Sequence, residues 1–437
     1  MRLLVLGGGA REHALAARLA AERDVGELVC VPGNPGIARV GRCLAGDVLD
    51  PDKMLQLAAR EQIDLTVVGP ELPLSVGIAD RFAAEGRLLV GPTRAAAALE
   101  SSKTFAKKFM ARHQVPTARF RTAESIDEAL RVVRSDEFGF PLVLKADGLA
   151  AGKGVVIADD RAAAESAVIA AMRDRRFGAS GDRLVIEEHL SGPEVSFFVV
   201  SDGSAALAIG SAQDHKRVFD DDRGPNTGGM GAFAPSPLVD AALQSRIMHD
   251  IVNPVVAGMA ADGHPFQGFL YTGLMLTSNG PRVIEFNVRL GDPEAQVILP
   301  LMGEPLLPLL VAAATGELRQ RACRMESDRV VGVVLASRGY PESASTGQII
   351  QGLDAAERVP GVSVYHAGTA RRDRHLVTAG GRVLTVVGRG HDFAEAMSRA
   401  YAGVEQISFD GMQYRHDIGR KALFAEPTYH EGHDSAL

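Results

Sequence analysis

Four short apolar runs constrain how the first hundred residues can fold: RLLVLG from Arg2, ELVCVPG from Glu27, DLTVVGPE from Asp64 and RLLVGPT from Arg87. Each run stops at glycine or proline, and helical stretches such as 51–62 and 75–84 lie between them. Strands that are apolar on both faces and joined by helices imply a doubly wound parallel sheet. Ligands of such sheets sit at the carboxyl ends of the strands. Those ends carry Gly7-Gly8-Gly9, Pro32-Gly33-Asn34, Gly69-Pro70-Glu71 and Gly91-Pro92. At 437 residues the chain exceeds one ordinary core, so about three domains of roughly 100–200 residues are expected.

Beyond residue 101 the pattern changes. SSKTFAKKFMARHQ reads as a serine-capped helix with Phe105 and Phe109 on one face. A smaller α+β unit follows, with a helix near 160–174. The segment 213–231, QDHKRVFDDDRGPNTGGMG, is long, polar and turn-rich, and loops of that size are usually functional. A long helix near 238–261 leads to a hairpin turning at Ser278-Asn279-Gly280. After residue 328 short strands return, then a helix from Phe393, with no concentration of chemistry-bearing residues. Residues 424–437 are polar and expected to fray. The divisions expected are 1–101, 102–327 and 328–437.

Composition excludes several classes. A net charge of −7 with no Lys/Arg-rich block argues against nucleic acid as a partner. The apolar runs fall short of the ~20 residues needed to cross a bilayer, and the N-terminus lacks a signal-peptide pattern. Cys30, Cys43 and Cys323 are odd in number and widely spaced. They read as buried, reduced thiols of a cytoplasmic protein, without a disulfide framework or zinc site.

The opening GGGAREHA resembles half of a dinucleotide fingerprint. Counting from Gly7 and Gly9, the third glycine's place holds Glu12, and no acidic residue ends the second strand. This argues against NAD. What survives is an anion site of backbone N–H groups at a helix N-terminus, to which Arg11 and His13 could add charge or donors and which Asn34 could reach. A plain tight turn is the alternative; the company of three other Gly/Pro strand ends favours a small phosphate-bearing ligand.

Three further stretches carry chemistry. In VIEFNVRLGDPE, period-two alternation turns Glu285, Asn287 and Arg289 one way, and Ile284, Phe286 and Val288 into the core. A carboxylate and an amide carbonyl suit Mg²⁺, and an arginine can stabilise a transferring phosphoryl group. The alternative, a solvated edge strand, is weakened by the carboxylates of the following Gly291-Asp292-Pro293-Glu294 turn. In LKADGLAAGKG, Lys145 ends an apolar strand before a glycine loop that contains Lys153 and is not a Walker A sequence. It reads as a cover over phosphates or as an ordinary hairpin. In VIEEHLSGPE, Glu187, Glu188 and Glu194 could contact an adenine amino group and ribose hydroxyls, with backbone near Leu190 reading the base edge; exposed charge at a strand end is the alternative.

Together with SSKTFAKKFM, VVGPELPLSVGIAD, AQDHKR and GPNTGGMGA, these motifs resemble the ATP-grasp superfamily and, within it, the phosphoribosylamine–glycine ligase family, over nearly the whole chain. The resemblance implies an α/β and α+β multidomain fold: an N-terminal doubly wound parallel-sheet domain, ATP-grasp central domains with a lid near 115–190, and a small C-terminal α+β domain. It implies ATP binding by Lys103, Lys145, Glu187, Glu188, Leu190 and Glu194, and Mg²⁺ (or Mn²⁺) binding by Glu285 and Asn287. It implies catalytic charge from Arg289, Lys145 and Lys153. The side facing 5-phosphoribosylamine and glycine would be lined by Gly9, Arg11, Glu12, His13, Gly33, Asn34, Pro35, Pro70, Glu71, Asp214, Lys216, Asn226, Gly228, Arg289 and Asp292. A monomer or weak homodimer is expected. Ala10, Val288 and Leu290 depart from the family's usual residues, and the strand 271–276 carries no carboxylate. Another carboxylate–amine ligase of purine metabolism, a nucleotide-dependent oxidoreductase and a non-catalytic nucleotide-binding module are the rival readings.

Overall fold

The first apolar run forms β1 (Arg2–Gly7), whose residues from Leu3 to Leu6 are wholly buried. In the computed structural model, which describes residues 1–149, 154–319 and 322–424, β1 lies between β2 (Glu27–Pro32) and β4 (Leu65–Val68). With β3 (Arg42–Cys43) and β5 (Leu88–Val90) they make a parallel sheet of order β3-β2-β1-β4-β5. The strand order reverses at β1, so a crevice opens beyond the glycines that end β1 and β4. Helix Pro51–Arg60 starts where expected, with Asp50 Oδ1 accepting from the Lys53 N–H at 3.0 Å and proline in the first turn. The stretch expected as one helix over 75–84 is two, Glu71–Ser75 and Ile78–Ala84, parted by Gly77 at φ +91°.

Helix Lys103–Arg112, capped by the Ser102 hydroxyl, leads to a smaller sheet. Its strands β6 (Phe120–Ala123), β7 (Leu142–Ala146), β8 (Val155–Ala158) and β9 (Leu184–Glu188) run in the order β6-β9-β7-β8. Helices Ile126–Arg134 and Arg161–Val168 cover it with Ala129, Val133, Ala164 and Val168.

The largest sheet begins with β10 (Glu194–Asp202) and β11 (Ala206–Asp214). A small hairpin of β12 (Arg217–Phe219) and β13 (Arg223–Asn226) interrupts it before β14 (Gly231–Ala234). β15 (Gln267–Thr277) and β16 (Gly280–Asn287) form the expected hairpin. The helix expected over 238–261 runs from Ala241 to Ala261 and widens at Met248–Val252. Pro254 lacks an N–H and crowds the carbonyl four residues back, which favours such widening.

The C-terminal strands do not form a sheet of their own. β17 (Arg329–Ala336) pairs with β14, and β18 (Val362–His366) and β21 (Arg382–Gly390) extend the same sheet. A separate hairpin of β19 (Thr369–Arg372) and β20 (His375–Thr378) lies between them in sequence. The order is β16-β15-β10-β11-β14-β17-β21-β18. Helix Phe393–Val404 packs on β21 and β17. Of the expected frayed end, residues 425–437 lie outside the described residues. Among the described residues no helix is long and apolar enough to cross a membrane. The cysteines are free, but only Cys30 is fully buried; Cys43 and Cys323 are half-buried.

Two buried polar junctions tie the C-terminal segment to the rest. Arg415 is wholly buried, and its guanidinium holds both oxygens of Asp417 at 2.7 Å, Asp222 Oδ1 at 2.8 Å and the Arg217 carbonyl at 3.1 Å. The tip of the β12–β13 hairpin is thereby fixed. Near the first sheet, the His366 N–H donates to His13 Nδ1 at 2.8 Å. Burial, with neighbouring positive charge, lowers His13 to about 3 and both His215 and His366 to about 4.

Replacing Arg415 by Met would leave Asp417 and Asp222 facing a buried apolar stem. Urea unfolding should register a loss of about 3 kcal/mol, the cost of breaking a buried pair. A second expectation concerns pH. His366 is neutral when folded and titrates near 6.5 when unfolded, so its contribution is present above about pH 6.5 and is lost as pH falls toward 4. Between pH 7 and pH 5 the stability of His366→Gln relative to wild type should therefore rise by about 2 kcal/mol. Buried carboxyls with raised values act in the opposite sense and cancel in that difference.

Candidate active site

Glu12, the residue that spoils the dinucleotide fingerprint, fills the mouth of the first crevice. It is buried, accepts the Gly9 N–H at 2.6 Å through Oε2 and the Arg11 Nε–H at 2.6 Å through Oε1. A Cβ on Gly69 would collide with its carboxylate, and one on Gly7 would lie 2.5 Å from its Cγ. One N–H of the expected anion cradle is thus bonded within the loop. Arg11 also donates to the Leu290 carbonyl at 3.1 Å, which carries its charge toward the central sheet.

Asn34 has its amide fully engaged. Its Oδ1 accepts from the Gly36 and Ile37 N–H groups, and its Nδ2 donates to the carbonyls of Gly8 and His366. Gly33, at φ +69°, packs on Cys43, and a Cβ on Gly8 would lie 2.5 Å from the Gly33 carbonyl oxygen. Pro35 is half-buried in the same turn, and Pro70 precedes the helix that begins at Glu71. His13 is held neutral by burial, so Arg11 supplies this loop's positive charge.

The Glu285–Asn287–Arg289 strand carries the expected face, with one correction. A bulge pairs Gly273 with Glu285 and Leu274 with Val283, leaving Ile284 as the extra residue. Val283, Phe286 and Val288 are buried, whereas Ile284 is half-buried and lines a pocket beside Lys216 and Tyr271. Strict alternation had placed Ile284 in the core, and the bulge reverses it. The Ile284 carbonyl accepts from Lys145 Nζ at 2.8 Å. Glu285, half-exposed opposite Gly273, lies 3.9 Å from Lys216. Burial opposes its ionisation, but Lys216, Lys145, Lys103 and Arg289 outweigh it and hold the carboxyl below its usual range.

Arg289 is bound on several sides. Its Nε donates to Glu71 at 3.3 Å, its Nη2 to Glu100 at 2.9 Å and to Asn287 Oδ1 at 3.0 Å, and its Nη1 to the Leu290 carbonyl at 3.2 Å. Glu100 also accepts the Val288 N–H at 2.8 Å. Among the described residues, one Nη1 N–H of Arg289 is left without an acceptor.

Across the cleft Glu187 is buried between two lysines, 2.5 Å from Lys145 Nζ and in contact with Lys107 Nζ. Burial lowers Lys107 to about 8. Lys103 Nζ donates to the Gly148 carbonyl at 2.9 Å. Glu188 takes both the N–H and the guanidinium of Arg119, and Glu194 accepts from Lys216 Nζ at 2.7 Å. Leu190 sits half-buried between β9 and β10. Lys153 lies outside the described residues.

The long loop and the Gly-Asp-Pro-Glu turn meet on the far side. Asp214 ends β11, Asn226 ends β13, and Gly229 packs on Pro293. Glu294 is buried and accepts from Ser196 Oγ at 3.0 Å, and Ser196 also bonds Tyr271. Burial raises both the Asp214 and Glu294 carboxyls, and Glu294 raises Asp214 further. Asp292 accepts from Gln296 at 2.7 Å and lies 3.2 Å from Arg382.

Sequence reasoning missed Lys107, Glu100, Tyr340 and Arg382. Lys107 follows Lys103 by four residues on a helix, so a shared face could have shown it. The others reach the cleft through tertiary packing alone.

Among the described residues no group of three or more His, Cys, Asp or Glu side chains is gathered to hold a metal ion. Glu285 and Asn287, neighbours on one strand face, fit a hard cation whose remaining ligands are water and phosphate oxygens. Glu285 is ionised and accessible, and Asn287 Oδ1 keeps one lone pair beyond its bond to Arg289.

Family models for phosphoribosylglycinamide synthetase match three successive segments: the N domain over residues 1–100, the ATP-grasp (A) domain over 101–295 and the C domain over 330–421. The phosphoribosylamine–glycine ligase of Xylella fastidiosa (strain Temecula1) is 49% identical over 432 residues, 98% of this chain and 100% of the relative. The crystal structure of the phosphoribosylamine–glycine ligase of Thermotoga maritima aligns with a TM-score of 0.83 at 34% identity, covering 95% of this chain and 100% of that one. A biotin carboxylase from Campylobacter jejuni shares the fold alone, with a TM-score of 0.73 at 15% identity over 94% of this chain and 93% of that one. The chain belongs to the phosphoribosylglycinamide synthetase family, whose central region is an ATP-grasp domain.

Proposed function

We propose that the chain is an ATP-dependent ligase that joins glycine to 5-phosphoribosylamine, giving glycinamide ribonucleotide, ADP and phosphate. The observation that carries this is the match to all three family domains, together with the hydrogen bonds that hold their motifs against one another. Family membership sets aside the oxidoreductase and binding-module readings.

The reaction proceeds in two steps. The glycine carboxylate attacks the γ-phosphorus of ATP, the bond to ADP breaks, and glycyl phosphate forms. The amino group of phosphoribosylamine then attacks the glycyl carbonyl, phosphate leaves, and the nitrogen gives up a proton. No protein nucleophile is needed, so the residues position and neutralise. Lys145 and Lys103 would face the phosphates, and Lys153 would add its charge to theirs. Glu187, Glu188, Leu190 and Glu194 would form the nucleoside side. Arg289 would offer its remaining N–H and its charge to the transferring group. The opening loop, residues 33–35 and 70–71, Asp214, Lys216, Asn226, Gly228 and Asp292 would line the acceptor side. A divalent cation, Mg²⁺ or Mn²⁺, held by Glu285 and Asn287, would neutralise phosphate charge. The unit 115–190 would close as a lid and exclude water from the acyl phosphate. A monomer or weak homodimer acting in the cytoplasm fits this reading and the free thiols.

Purified protein with ATP, Mg²⁺, glycine and freshly made phosphoribosylamine should release phosphate only when all are present. Equal release without glycine would overturn the reading. Glu285→Ala should lower turnover about 100-fold at limiting Mg²⁺, the scale of losing one charge-stabilising group, while the melting temperature stays close to wild type. Unimpaired turnover at limiting Mg²⁺ would remove Glu285 from the metal site.

A further inference from the structure

Arg382 opens β21, in the C-terminal region whose sequence shows no concentrated chemistry. Its guanidinium nonetheless reaches the cleft. Nη1 donates to the carbonyls of Gly228 and Asp292, each at 2.6 Å, and Nη2 lies 3.2 Å from the Asp292 carboxylate. One side chain therefore joins the long loop to the Gly-Asp-Pro-Glu turn. The same turn meets the opening loop, since a Cβ on Gly9 would stand 3.6 Å from Asp292 Oδ2. Gly228 is held at its other end as well: its N–H donates to the Tyr340 hydroxyl at 2.9 Å, and the Tyr340 ring packs on Gly381.

We propose that Arg382, backed by Tyr340, is a positioning residue for the glycine and phosphoribosylamine side of the site. This rests on the ligase reading above. Asp214, Asp292 and Glu294 crowd this side with carboxyl groups, and Arg382 is a fixed cation among them. Without it, Asp292 loses its ion pair and the Gly228 carbonyl loses the donor that orients its peptide. The ATP side is anchored separately, by Lys145 on the Ile284 carbonyl and Lys103 on the Gly148 carbonyl. The effect of losing Arg382 is therefore selective for one half of the cleft.

The test varies each substrate in turn for Arg382→Met, Arg382→Lys and Tyr340→Phe. The KM for glycine or for phosphoribosylamine should rise about ten-fold or more in Arg382→Met, with the KM for ATP held within about two-fold. Arg382→Lys should recover part of the loss, and Tyr340→Phe should shift the same constant less. Three unchanged KM values, or a KM for ATP that rises in step with the others, would overturn the proposal. Hydrogen exchange of residues 224–231 reads the same claim without turnover: it should quicken in Arg382→Met and Tyr340→Phe, and unchanged exchange counts against the proposal. An inactive wild type with quickened exchange in the variants would strike the ligase reading alone.

Discussion

The guanidinium of Arg289 gathers Glu71 from beyond β4, Glu100 from the segment before the Lys103–Arg112 helix, and Asn287 from its own strand. Taking these charges out of water costs several kcal/mol per ion, offset only where geometry is good and the remaining donors are satisfied. Here four of the five N–H groups find acceptors among the described residues. Glu100 still has its carboxyl pushed up by burial, against the pull of Arg289. Such a junction holds because each partner would be left stranded without the others. It locks the first sheet to the strand that carries Glu285 and Asn287.

The opening loop shows a related economy. A third glycine would let helix and strand approach closely and would leave every loop N–H free for a pyrophosphate. Glu12 instead brings its own carboxylate into that space, binds the Gly9 N–H and pairs with Arg11. The loop therefore arrives pre-braced, with part of its anion-binding capacity used internally. Its remaining positive charge points across the crevice toward the Leu290 carbonyl. That geometry suits a ligand shared between two sheets better than a dinucleotide lying along one.

What was legible in the sequence follows from where the information lies. The first sheet could be read because runs buried on both faces end at Gly7, Gly33 and Gly69, where local backbone demands decide the turn. The shared face of Glu285, Asn287 and Arg289 could be read from period two. Ile284 could not, since a bulge is a property of the β15–β16 pairing and not of either strand alone. Pro254 was visible in the sequence, yet the helix around it is widened and not stopped. Arg382, Tyr340 and Arg415 were invisible for a different reason: their contacts to Asp292, Gly228 and Asp222 span 90 or more residues. Nothing near Arg382 in sequence distinguishes it from a surface arginine.

Next to the Lys103–Arg112 helix, Glu187 sits between Lys145 and Lys107 and accounts for the placement of both. Read from sequence it was a candidate contact for the nucleoside; in the fold it is also the counter-ion that lets two lysines be buried together. An unpaired ammonium there would shed its proton, and burial already lowers Lys107 to about 8. With Glu187 present, Lys145 is held against the Ile284 carbonyl, one residue from Glu285. The cation and the candidate metal ligand are thus fixed relative to each other before any phosphate arrives. A site so arranged needs little reorganisation when charge moves along the phosphoryl axis, which is the condition under which fixed charges stabilise a transition state most effectively.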